Sequence, residues 1–205
     1  MYAMQTGIKA VAALLFGLAA LSAQAAVFTT TLSGAAEAPP NASPGTGTAT
    51  VELDLTSHTL VVDVTFSGLL GTTTATHIHC CTAVPGESTA GVATQTPTFV
   101  DFPTGVTSGS YYHVFDTTDA ATWNLAFINA NGGTTAGAEA ALLAGLNAGS
   151  AYLNVHSTFA PGGEIRGFLQ PVPEPATVAM LALGAPLVLG LARRRKQGRK
   201  AAAAK

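Results

Sequence analysis

Two consecutive stretches of this chain alternate apolar and polar residues with period two. Across residues 48–55, Val51, Leu53 and Leu55 fall on one face and Glu52 and Asp54 on the other. After Ser57-His58 the pattern resumes: Leu60, Val62, Val64 and Phe66 face one way, and Val61, Asp63, Thr65 and Ser67 the other. Successive side chains of a strand point to opposite faces, whereas an amphipathic helix repeats every 3.6 residues. The pair therefore predicts an antiparallel hairpin with one buried face, and that face must find a second layer to cover it.

The rest of the central chain follows suit. It is rich in Thr, Val, Gly and Ala, and its short runs are punctuated by Gly and Pro, which favours strands. Further strands are expected at 27–32, 75–79, 98–102, 110–115, 151–156 and 164–169. Long loops are expected at 33–47 and 82–97. Trp123 is expected in the core. One helix is expected after Gly132-Gly133, where Ala138, Ala141, Leu142, Gly145 and Leu146 keep a helical period. Thr134 or Thr135 would cap its start, and Gly149 suits a left-handed end. The predicted fold class is all-β: an immunoglobulin-like antiparallel sandwich or barrel with one short helix.

Both ends of the 205-residue chain read as addresses. Residues 1–25 have the form of a signal peptide: Lys9, a short apolar run, and Ala23-Gln24-Ala25 as a small-x-small cleavage site. Near the other end, Pro173-Glu174-Pro175 precedes an apolar run at 176–192 and then Arg193-Arg194-Arg195-Lys196. Such a run is just long enough to span a membrane, and the cationic flank would stay on the cytoplasmic side. A signal helix and a C-terminal transmembrane helix are therefore expected, with one domain at 26–170 between them and an address segment at 171–205.

The domain carries ten acids against one cation, Arg166, for a formal charge of −9. Such a surface excludes nucleic acid and anionic membrane as partners. No nucleophile elbow, phosphate loop or dinucleotide fingerprint is present, so no catalytic residue and no enzymatic activity are expected.

Two stretches concentrate the chemistry: Thr76-His77-Ile78-His79-Cys80-Cys81, and Tyr152-Leu153-Asn154-Val155-His156 with Glu164-Ile165-Arg166. Alternation puts His77 and His79 on one face, Tyr152, Asn154 and His156 on one face, and Glu164 and Arg166 on one face, each opposite its strand's apolar residues. If the strands are neighbours, these polar groups meet on the outer face of one sheet. Two readings stand. In one, His77, His79 and His156, with Cys80 as a fourth donor, bind Cu or Zn. In the other, the imidazoles hydrogen-bond to Asn154, Glu164 and carbonyls and fix register. Arg166 is expected to pair with Glu164 or Glu37 as a structural ion pair. Neighbouring cysteines rarely bond to each other, which leaves free hydrophobes, a link to another chain, or metal ligands. Asp116 and Asp119 read as turn residues more readily than as a Ca²⁺ site.

The Pro-Glu-Pro, apolar run and Arg cluster closely resemble the PEP-CTERM sorting signal of Gram-negative bacteria. That resemblance implies exosortase as a processing partner, beside the signal peptidase that residues 1–25 call for, with a membrane helix before cleavage. It implies export across the inner membrane to the periplasm, surface or exopolysaccharide matrix. The central domain resembles the CHRD domain through Leu32-Ser33-Gly34 with Glu37, Phe66-Ser67-Gly68-Leu69, Thr76-His77-Ile78-His79, residues 151–157 and 161–167. This implies an extracellular β-sandwich module with a binding or structural role and no catalysis; here it is expected to serve at the cell surface or in the matrix, with exopolysaccharide or a surface protein as partner. The alternative is a periplasmic or surface metal-binding protein.

Overall fold

The computed structural model describes residues 25–173. The expected signal and transmembrane helices, Glu174, Pro175 and Arg193 to Arg195 lie outside the described residues. The described part is mostly antiparallel β. Its strands are β1 (Ala26–Ser33), β2 (Thr46–Asp54), β3 (Thr59–Ser67), β4 (Thr73–His79), β5 (Gly109–Asp116), β6 (Tyr152–Ser157), β7 (Ile165–Phe168) and β8 (Gln170–Pro171). They form one continuous sheet in the order β4-β6-β7-β1-β2-β3-β5, with β8 beside β1. The sheet curls as a half-barrel, so its inner residues share a single core.

The alternating hairpin is β2–β3, paired in register from Thr46↔Ser67 to Asp54↔Thr59. Val51, Leu53, Leu60, Val62 and Val64 are at most 1% exposed, and each such side chain contributes about 1.5–3 kcal/mol relative to exposure. Leu55 departs from expectation and is exposed. The strand ends at Asp54, whose Oδ1 accepts from Thr56 N at 2.7 Å and turns the chain. In that turn His58 reaches Glu139 at 3.0 Å, and the buried Glu139 also accepts from Thr117 Oγ1 at 2.5 Å.

Among the described residues two α-helices are present where one was expected: α1 (Leu125–Ala130) and α2 (Thr135–Asn147). Asn124 caps α1 through Ala126 N, and Phe127 and Ile128 bury its inner side. Thr134 caps α2 through Gly137 N. Gly149 takes the left-handed conformation (φ 66) that ends the helical segment. Ala138, Leu142 and Leu146 of α2 enter the core.

The expected strand at 98–102 does not form. Phe99 and Phe102 both point into the core, a spacing of three that a strand cannot satisfy, and Phe102 N closes a turn onto Phe99 O at 3.2 Å. Cys80 and Cys81, expected not to bond to each other, are joined by a disulfide. The intervening peptide is cis, which sets the Cα atoms 3.0 Å apart and brings the two sulfurs together.

Candidate metal centre

β4 and β6 pair with His77 opposite Asn154 and His79 opposite Tyr152, and β6 and β7 pair with Asn154 opposite Arg166 and Tyr152 opposite Phe168. The two sequence stretches therefore lie on neighbouring strands. Their polar side chains share the face opposite Ile78, Leu153, Val155 and Ile165, which are fully buried in the core.

That face is not an open exterior, as the alternation alone suggested. The long connection after β4 and the β6–β7 loop cover it, leaving His77 and His79 only 7% and 8% exposed and Asn154 and Arg166 buried. His156 is half-buried. Each imidazole has one nitrogen at a backbone carbonyl of this cover. His77 Nε2 lies 2.8 Å from Pro97 O, His79 Nδ1 2.9 Å from Ala90 O, and His156 Nδ1 2.9 Å from Pro161 O. A carbonyl only accepts, so each of these nitrogens carries the hydrogen. The tautomers follow: His77 Nδ1, His79 Nε2 and His156 Nε2 are left with lone pairs.

One nitrogen from each ring lies within 4.8 Å of the others. His77 Nδ1 and His156 Nε2 are 3.3 Å apart. Two nitrogens bound at 2.0–2.1 Å to one tetrahedral ion stand roughly 3.3 Å apart. His79 Nε2 is buried and has no hydrogen-bond partner. Burial pushes His77 and His79 down to about 4, and it lowers His156 as well. The rings are therefore neutral at neutral pH, the state in which imidazole ligates a metal. Metal-ligating histidines characteristically donate their other N–H to a carbonyl or carboxylate, which fixes the ring, and all three have that arrangement here.

Cys80 is not available as the fourth ligand, because its sulfur is bonded to Cys81. Tyr152, which the sequence placed on this face without a role, stacks on His79 with ring centroids 4.8 Å apart and planes 7° from parallel. Its hydroxyl lies 3.3 Å from Ala90 O, the carbonyl that also holds His79. The carbonyls of Ala90, Pro97 and Pro161 could not be found from sequence, since every residue has one.

The structural residues separate into two groups. Arg166 lies 3.8 Å from Glu37, donates to Ala36 O at 2.5 Å and Ser88 O at 2.9 Å, and stands 4.8 Å over the Tyr152 ring. Of its two expected partners it takes Glu37, whose carboxyl burial pushes up to about 7 against the pull of Arg166. Glu164 lies elsewhere. Burial raises its pKa, but donors outweigh that and hold it below the usual range. Ser43 Oγ at 2.6 Å, Leu70 N at 2.5 Å, Gly71 N at 3.1 Å and Ser157 Oγ all donate to it. Asp116 accepts from Thr118 N at 2.8 Å and Asp119 from Ala121 N at 2.9 Å, so both are turn residues.

A curled antiparallel sheet with three converging imidazoles on one covered face defines a β-module with a candidate metal centre. The chain belongs to the CHRD domain family, whose model matches residues 28–169. A model of the PEP-CTERM protein-sorting motif matches residues 171–196. The motif marks an exported exosortase substrate sorted to the surface or exterior of the cell. No curated protein and no solved structure matches the chain.

Proposed function

We propose that the exported domain is a metal-binding module that holds one Cu or Zn ion between His77, His79 and His156. The observation that carries this reading is the convergence of three ring nitrogens whose partners on the same rings are committed to backbone carbonyls. Three imidazoles at this spacing suit Cu or Zn. The test is metal analysis of the purified chain after loading and exhaustive dialysis. One equivalent of Cu or Zn is expected, lost when His77 and His79 are both replaced by Ala. A chain that retains no metal above that double variant would end the reading.

A second reading, binding of exopolysaccharide at the surface or in the matrix, is favoured by the outer face of β1-β2-β3-β5. There Thr31, Thr48, Thr65 and Ser110 form one exposed cross-strand row, and Thr29, Thr50, Asp63 and Tyr112 the next. The exposed Tyr112 ring and the surrounding hydroxyls match the stacking and hydrogen bonding a sugar polymer offers. Co-sedimentation with the producing cell's own polysaccharide, lost in Tyr112→Ala, would support it. Equal sedimentation of both proteins would count against it.

A further inference from the structure

We infer that the three-histidine centre is selective for copper in the +1 state over divalent ions. This rests on the metal-binding reading above and adds the identity of the ion. Three observations carry it.

The first is the donor set. The cluster comprises His77, His79 and His156 and contains no acid. The nearest sulfur in sequence, Cys80, is consumed by the disulfide. The second nitrogens of the rings meet carbonyls, not carboxylates. Nothing beside the rings draws their remaining hydrogens away and gives them anionic character. The protein therefore offers three neutral nitrogens and no negative charge.

The second is the standing charge nearby. The guanidinium of Arg166 is buried and lies 4.8 Å over Tyr152, whose ring stacks on His79. Glu37, 3.8 Å from the guanidinium and with its pKa held up to about 7 by burial, offsets that charge only in part, so an added cation still meets it.

The third is the cover. His77 and His79 are 7% and 8% exposed, so water screens the ion weakly. The cost of moving an ion out of water grows as the square of its charge, so a divalent ion meets about four times the penalty of a monovalent one of equal size. A divalent ion must then bring its own anion as a fourth ligand. Cu(I) is content with three neutral imidazoles and needs no compensating charge. Half-buried His156 is the side from which the ion enters.

The test is an anaerobic competition on the full chain. Cu(I) is offered from a chromophoric Cu(I) chelator, with and without a hundredfold excess of Zn(II). X-ray absorption then reports the valence and ligand number of the bound copper. The expected result is one Cu(I) per chain, three-coordinate with nitrogen ligands, undiminished by zinc, and lost in His156→Ala but kept in His113→Ala. Ag(I), a redox-silent monovalent probe, should displace it. Zinc displacing copper would overturn the selectivity while leaving metal binding intact. Failure to take Cu(I) from the chelator, while a parallel aerobic titration loads the chain with Cu(II), would overturn it likewise. Binding of neither metal would overturn both readings together.

Discussion

His77 Nδ1 and His156 Nε2 face each other at 3.3 Å, and in the tautomers set by Pro97 and Pro161 neither carries a hydrogen. Two lone pairs at that distance repel. A cation between them turns the repulsion into two bonds, so the loaded fold is expected to be the more stable one.

Ligand binding to the native state alone adds about 2.7 kcal/mol of stability at a hundredfold excess over Kd. For a domain of this size that corresponds to a rise in Tm of several degrees, taking about 2–4 °C per kcal/mol. Differential scanning calorimetry with and without the metal should show the rise in the parent chain and none in His156→Ala. Equal shifts in both would place the ion elsewhere.

Stability of the metal-free chain should fall on acidification. His77 and His79 bind protons only near pH 4 when folded, against the ordinary 6.5 of a free imidazole, so the unfolded chain takes up protons that the native state refuses between those values. His156 acts in the same direction. Glu37 acts oppositely: held up to about 7, it keeps a proton that the unfolded chain loses above 4.5. Histidines outnumber it, so unfolding free energy should rise with pH between about 4 and about 6.5. The slope should reach about one proton's worth, about 1.4 kcal/mol per pH unit, near the middle of that window and flatten toward both ends. Denaturant titrations across this window with a chelator present would measure it, and a flat profile would contradict the burial argument.

Glu164→Gln should destabilise the domain by about 3 kcal/mol, because four donors from separate parts of the chain would meet a neutral amide with one oxygen. Urea unfolding is the measurement. Glu52→Gln, half-buried on the outer face of β2 and without the donor cluster that surrounds Glu164, should be nearly silent and serves as the control.

Gly145→Ala separates helix propensity from packing. In an open helix the change gains about 1 kcal/mol. Here a methyl group would overlap Sγ of both Cys80 and Cys81, and overpacking costs about 1–3 kcal/mol. A net loss of stability is expected in the oxidised protein. Thiol titration of that protein after unfolding should find no free cysteine, since both sulfurs are in the Cys80–Cys81 bond.

Strand alternation made most of the fold legible, because one-sided burial leaves a direct mark on residue order. It placed β2 and β3 within two residues and put the three histidines on the correct faces. It could not reveal that the polar face is covered, since the cover consists of loops whose contribution is backbone oxygen. It also misread residues 98–102, where Phe99 and Phe102 anchor a loop in the core instead of forming a strand. The cysteines were misread for a different reason. The argument against bonding rested on how rarely adjacent residues meet disulfide geometry, and this pair meets it.

The four donors to Glu164 carry a consequence for how the molecule comes into being. Ser43, Leu70 and Gly71 stand in the first half of the domain, whereas Glu164 stands just ahead of the sorting motif that begins at residue 171. A polypeptide threaded amino end first delivers the waiting hydroxyl and amides long before the carboxylate they need. In chain order, closure of the sheet therefore waits for residues that stand immediately ahead of the sorting motif. The folded module and the tag that routes it are completed almost together.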